Sequence, residues 1–290
     1  MRKLNTIAAA LGTAVLAGYG VPAHASIVAF APAAYAESEL IVSNFRLKSA
    51  TKSPGDVGPG DFTSLKVDVR GQSPTASINA VVNAGLPQSI DPITNPGASF
   101  NESAQVGGGY TPYVSYGAGT MGAGVFAGAN VFHSGSGLDP LNPTTAKTHA
   151  QVNINGVAKG TGNAAQTLTT EFTLTAAQAD TFNVTFTADL FQRAALGQPG
   201  VAANAVAAWN LKVEKKMELF PGFFQFVEVL NWIPDGLPTA VLGLCSPANC
   251  TELADPFSLN SSEGTLGVED KVNQRSGDFG VQAKLDAADN

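Results

Sequence analysis

The sequence predicts an all-β protein, an antiparallel β-sandwich of jelly-roll-like type. Three observations predict it. Runs rich in β-branched and aromatic residues alternate apolar with polar side chains at period two, the signature of half-buried strands. Gly, Pro, Asn and Asp separate these runs as turn residues do. Charged residues make up only 13% of the 290-residue chain, well below the usual share, and Gly, Ala, Ser, Thr and Asn take their place, as in exported β-proteins that stay soluble through hydroxyls and amides.

The elements follow in order. Glu39 to Leu47 is rich in strand formers, and Ser64 to Arg70 alternates with Leu65, Val67 and Val69 on one face. Ser77 to Val82 is a weaker strand. Residues 71–146 change character: no Lys or Arg occurs between Arg70 and Lys147, prolines recur from Pro74 to Pro143, and glycine is dense from Gly107 to Gly137. Such a stretch favours turns over ladders. Its aromatics, Phe100, Tyr110, Tyr113, Tyr116, Phe126 and Phe132, mark it as a partly ordered excursion that anchors on the sandwich. Regular alternation returns with Ala150 to Val157 and Thr167 to Thr175. A turn over Ala176 to Asp180 and a strand over Thr181 to Ala188, with Phe182, Val184 and Phe186 on one face, complete what reads as a hairpin. Ala203 to Val213 has helix-forming alanines, but at period two Ala207, Trp209, Leu211 and Val213 form an apolar face, which favours a strand. Phe224 to Val229, Leu253 to Leu259 and Phe279 to Leu285 are the last strands. No repeat of fixed period appears, which argues against a solenoid.

The first residues carry a different signal. Met1-Arg2-Lys3 is basic, Thr6 to Val21 is an apolar run broken by small residues and Tyr19, and Ala23-His24-Ala25 offers small side chains at both positions a signal peptidase reads. This order predicts a secretory signal peptide over residues 1–25, with an alternative cleavage after Ala36 at Ala34-Tyr35-Ala36. The run is shorter than the roughly 20 residues a spanning helix needs, so no transmembrane segment is expected after cleavage. The expected location is secreted, extracellular or on the cell surface. The expected domain is a single sandwich over residues 37–290, with 71–146 as its irregular insertion. Cleavage after Ala25 removes Arg2 and Lys3 and no acid, taking the formal charge from -7 to -9. Phosphate backbones repel such a chain, so nucleic acid is not an expected partner.

Motifs for chemistry are sparse. Gly117-Ala118-Gly119-Thr120-Met121-Gly122 formally matches a dinucleotide-binding fingerprint, but it lacks a preceding buried strand, and Gly124 and Gly128 weaken any following helix. The histidines after residue 25 are His133 and His149. Ser134 and Ser136 lie near His133, yet the flanking glycines of a nucleophile elbow are absent. Asp189, Glu228, Asp235 and Asp255 fall near strand ends, where a carboxylate pair for glycoside cleavage would need residues from separate segments. No calcium loop with acids at alternate positions occurs; a structural calcium held by carbonyls and one or two carboxylates stays open. The reading is of a non-enzyme with no cofactor. Cys245 and Cys250, in Cys-Ser-Pro-Ala-Asn-Cys, suit a local disulfide in an oxidising compartment. Closing so small a loop stabilises by about 2–3 kcal/mol at most. Trp232, Tyr110, Tyr113 and Tyr116 are candidates for stacking on sugar rings, whereas Trp209 sits on an apolar strand face and reads as core.

Several segments in order resemble the exosortase-dependent surface proteins of the PEP-CTERM class, the EDSAP type in particular. These are Glu171-Phe172-Thr173-Leu174 with the Phe182 to Phe186 strand, Ala207-Ala208-Trp209-Asn210-Leu211, Trp232-Ile233-Pro234-Asp235-Gly236 and Asp255-Pro256-Phe257-Ser258-Leu259-Asn260. A looser echo is Asn44-Phe45. The resemblance spans the C-terminal half and implies an exported surface or biofilm-matrix protein of a Gram-negative bacterium, with no catalytic residue to carry over. The family's sorting tag, Pro-Glu-Pro followed by an apolar stretch and a basic cluster, is not found in Leu285 to Asn290; either the protein is released without the tag or the sequence represents a tail-less variant. Two further readings stay open: a carbohydrate-binding module on exopolysaccharide, and a self-associating subunit of an extracellular fibre that pairs through an open strand edge or Ser26 to Leu40.

Overall fold

A computed structural model describes residues 13–29, 33–49, 62–80, 83–84, 88–89, 100–107, 125–135, 144–155, 160–176, 180–197, 202–220, 223–237, 245–246, 250–266 and 268–285. Every regular element among them is a strand. In chain order these are β1 (Thr13–Ala29), β2 (Ala33–Ser49), β3 (Phe62–Ala80), β4 (Asn83–Ala84), β5 (Gln88–Ser89), β6 (Phe100–Gly107), β7 (Val125–Ser134) and β8 (Thr144–Asn155). They continue as β9 (Gly160–Ala176), β10 (Asp180–Leu196), β11 (Ala202–Phe220), β12 (Phe223–Trp232), β13 (Cys245–Ser246), β14 (Cys250–Ala254), β15 (Ser261–Thr265) and β16 (Asp270–Leu285).

Two antiparallel sheets result. Sheet A runs β13-β12-β11-β1-β9-β3-β4, with β15 on β11 and β5 on β3, and sheet B runs β14-β16-β10-β2-β8-β7-β6. The expected all-β, antiparallel fold is the observed one. Its core lies where β2, β10 and β16 of sheet B face β11 and β12 of sheet A. Phe182, Val184, Phe186, Ala188 and Leu190 line one side, and Ala207, Trp209, Leu211, Leu230 and Trp232 the other. The period-two faces read from sequence over Phe182 to Phe186 and Ala207 to Leu211 are the buried ones.

β2 shows how a single residue sets a face. Leu40 and Val42 are buried on the even positions, Phe45 and Leu47 on the odd. The switch occurs at Asn44, whose φ is 55°, where pairing with β10 slips between Thr185 and Thr187. An extra residue in one strand is a bulge, and Asn tolerates the left-handed conformation it needs better than most residues.

Four expectations are corrected. β9 and β10 are not a hairpin: β9 pairs with β1 and β3 in sheet A, β10 with β2 and β16 in sheet B, so the two do not pair with each other. Leu253 to Leu259 is not a strand; β14 ends at Ala254 and side chains organise Asp255 to Asn260. Within 71–146, β6 and β7 are integral strands of sheet B, and β3 runs on to Ala80. The sheets also begin before residue 37: β1 pairs on both sides, with β9 and β11, and β2 starts at Ala33. Residues 13–25 of the expected leader therefore occupy the middle of sheet A in the full chain.

Candidate functional site

The two most distinctive motifs meet in space. Trp232 ends β12, and the chain then turns through Pro234, Asp235 and Gly236, where Asp235 forms an isolated bridge with Ser258. The Asp255 carboxylate holds that turn: its Oδ2 accepts the backbone N–H of Asp235 at 2.8 Å and of Gly236 at 2.9 Å. Gly236 is required twice over. Its φ is +76°, and a Cβ there would stand 2.8 Å from the Ser258 nitrogen and 2.9 Å from Phe257 Cα. Ser258 Oγ donates to the carbonyls of Pro234 and Asn260.

Asn260 completes the clamp. On one flank of β11, β15 covers Ala203 to Ala207 and β12 covers Leu211 to Phe220. Trp209 falls in the gap between them. There the Asn260 carboxamide acts as a strand residue would: Oδ1 accepts the Trp209 N–H at 3.0 Å and Nδ2 donates to the Trp209 carbonyl at 2.9 Å. Nδ2 also reaches the Pro234 carbonyl at 3.3 Å. Beneath the clamp the rings interlock. Phe186 lies 4.5 Å from Trp209, 5.9 Å from Trp232 and 5.2 Å from Phe279, and the two indoles meet edge to face at 5.9 Å. Such aromatic pairs add stabilisation beyond their buried area.

Two carboxylates stand at its border. Glu252 Oε1 accepts the Trp232 Nε1–H at 2.7 Å. Desolvation, opposed by the two backbone N–H bonds and reinforced by the charge of Glu252, pushes the Asp255 carboxyl up to about 6. Asp255 is thus a turn cap whose ionisation falls in a mild acidic range.

A second cluster lies on the opposite face of sheet B from sheet A. Ser38 Oγ donates to the Val206 carbonyl of β11, so the even positions of β2 look towards sheet A and the odd ones away. On the odd positions Tyr35, Glu37 and Glu39 are buried, beside His149 and Gln151 of β8. Glu37 accepts from Tyr35 Oη at 2.5 Å, and His149 Nε2 sits 2.8 Å from its other oxygen. Gln151 Nε2 donates to Tyr35 Oη at 2.6 Å. Burial raises both the Tyr35 phenol and the Glu39 carboxyl above their ordinary values. Arg193 stacks 5.4 Å over the Tyr35 ring and binds Asp270 through two nitrogens, which raises the guanidinium and lowers the Asp270 carboxyl. A buried polar group costs free energy unless it is satisfied, and here Tyr35, Glu37, His149 and Gln151 bind one another. The network fixes register between β2 and β8.

The residues singled out from sequence divide sharply. Trp232 is fully buried at 0% exposure, so neither indole face can stack on a sugar; that assignment is withdrawn. Trp209 belongs to the core as its strand face implied. Tyr110, Tyr113, Tyr116, Ser136 and Gly117 to Gly122 lie outside the described residues. Cys245 and Cys250 are described by backbone only, on β13 at the edge of sheet A and β14 at the edge of sheet B. Asp235 and Asp255 come together, but as turn and cap; Glu228 pairs with Lys212 at 3.7 Å, and Asp189 lies on β10 opposite Ser276 and Ile41. His133 and His149 occupy opposite faces of sheet B, since Asn130 pairs with His149 and His133 with Ala146. They cannot share one site. Among the described residues no group of three or more His, Cys, Asp or Glu is placed to hold a metal ion.

Sequence reading missed Asn260 as a clamp, Glu252 as the indole acceptor and the Tyr35–Glu37–His149–Gln151 network. Tyr35, Glu37 and Glu39 at alternate positions, with the small Ala36 and Ser38 between them, were the available signal for the network. No family model, curated protein or solved structure matches this chain. Among the described residues no helix is long and apolar enough to cross a membrane.

Proposed function

We propose that this chain is an exported, non-catalytic β-sandwich that serves as a surface or biofilm-matrix component of a Gram-negative bacterium. One observation carries the reading. The motifs most distinctive in the sequence, Trp232 to Gly236 and Asp255 to Asn260, are spent on holding turns and an aromatic core together. Their acidic and amide side chains bind backbone groups of the same chain, which leaves them no substrate to handle. The leader signal and the low charge support export, and the resemblance to exosortase-dependent surface proteins supports the setting.

Export bears on where the mature chain starts. In the full chain His24 and Ala25 are paired with strands on both sides, so a peptidase must cut before sheet A closes. Cleavage after Ala25 keeps Tyr35 and its network; cleavage after Ala36 removes the phenol that donates to Glu37. The network therefore favours Ser26 as the mature start.

The test is deletion of the gene in the producing organism. Altered matrix composition and cell aggregation, restored by the wild-type gene, are expected; an unchanged matrix and unchanged aggregation would contradict the reading. With Trp232 buried, the glycan-binding alternative rests on Tyr110, Tyr113 and Tyr116. Retention on the organism's own exopolysaccharide, lost when these three become alanine, would favour it.

A further inference from the structure

We propose that the outer edge of β3 is a self-complementary interface through which two copies of this chain join their A sheets. β3 pairs with β9 on one side from Phe62 to Ala80. On the other side β5 meets only Thr75 and Ala76, and β4 only Asn79 and Ala80. Among the described residues, no strand pairs with the outer side of Phe62 to Gln72. A strand edge of that length offers a row of N–H and C=O groups to another strand.

The residues along it specify both the partner and the register. A two-fold axis normal to the sheet sets the two β3 strands antiparallel. Because alternate residues turn their amides outward, residues i and j stand opposite each other only when i + j is even. Centred on Val67, Lys66 falls opposite Asp68 of the second copy and Asp68 opposite Lys66. The other face then matches Leu65 with Val69 and Val67 with itself. Opposite charges across a strand pair stabilise it and like charges oppose it. Centring on Lys66 sets that lysine against itself. Centring on Asp68 sets Asp68 against itself and Lys66 against Arg70. Centring on Val69 pairs Asp68 with Arg70, but leaves Leu65 against Ser73 and Val67 against Gly71. Only the Val67 register satisfies both faces.

Two other edges behave differently. Along the part of β16 that β14 leaves uncovered, Asp270 to Phe279, Lys271 and Arg275 share one parity and Asp270 and Asp278 the other. No antiparallel self-pairing can bring opposite charges together there. Between Phe223 and Leu230, β12 carries Glu228 as its single charge, which selects no register.

The pairing rests on β3 alone and stands or falls independently of the surface reading. Sedimentation equilibrium on the purified chain tests it. The wild type is expected to dimerise. Asp68→Lys should weaken association about tenfold or more, and the exchange Lys66→Asp with Asp68→Lys should restore it. In a Cys245→Ser, Cys250→Ser background, Val67→Cys should oxidise to a covalent dimer more readily than Val69→Cys. A wild type that stays monomeric at its highest soluble concentration would overturn the proposal. So would an Asp68→Lys variant that dimerises like wild type, an exchanged pair that folds but does not recover, or preferential cross-linking at position 69.

Discussion

Asn260→Ala removes the side chain that closes the gap in β11. The loss is three hydrogen bonds, at 3.0 and 2.9 Å to the Trp209 backbone and 3.3 Å to the Pro234 carbonyl. A typical bond contributes about 0.5–1.5 kcal/mol net, and an orphaned buried backbone group costs about 1–3 kcal/mol. Asn260 itself is exposed, so water can reach part of the vacated site and recover some of this. The expected cost is about 1–3 kcal/mol, a large share of the roughly 5–15 kcal/mol by which domains are stable. Asn260→Asp keeps an acceptor for the Trp209 N–H but sets a carboxylate against two carbonyls, so it should lose at least as much. Urea unfolding followed by tryptophan fluorescence is the assay, because Trp209 and Trp232 both lie under the clamp. The midpoint should fall while the slope stays constant. A change in stability under about 0.5 kcal/mol, the range of an ordinary surface substitution, would refute the clamp.

Other consequences follow from the same geometry. Gly236→Ala should cost about 2 kcal/mol or more, because a side chain in the left-handed region costs about 1–2 kcal/mol before its Cβ meets Phe257 and Ser258; thermal unfolding checks it. Trp232→Ala should cost about 3–5 kcal/mol as a core truncation, and calorimetry should show it whether or not polysaccharide is present. The Asp255 carboxyl is raised to about 6 in the fold, so its stabilising share is complete below the unfolded value near 3.9 and is lost as pH rises through about 6. Asp255→Asn keeps an acceptor for the turn and cannot ionise, so stability measured from pH 4 to 7 should fall for the wild type relative to this variant. Asn44→Val should destabilise the β2 bulge by about 1–2 kcal/mol, whereas Asn44→Gly should be close to neutral.

Much of the fold was legible because burial imposes a period. Phe182, Val184 and Phe186, or Ala207, Trp209 and Leu211, announce a buried face whatever they pack against. Partner choice was not legible. β9 and β10 are adjacent in sequence and both strand-like, so a hairpin was the local reading; only the competition of β1, β3, β2 and β16 for their edges sends them to different sheets. Leu253 to Leu259 alternates well enough for a strand, yet Asp255 and Asn260 bind backbone groups 19 to 51 residues away, a choice no local pattern encodes. The Glu37–His149 contact spans 112 residues. The leader was read from charge and side-chain size at the N-terminus, whereas its place in sheet A follows from backbone pairing with β9 and β11, which any apolar extended segment can satisfy.

Cell fractionation of the producing organism, with N-terminal sequencing of the recovered protein, tests the central claim most directly. The account predicts the chain in the medium, on the cell surface or in the exopolysaccharide, beginning at Ser26. Recovery of the chain from the cytosol with residues 1–25 still attached would contradict it.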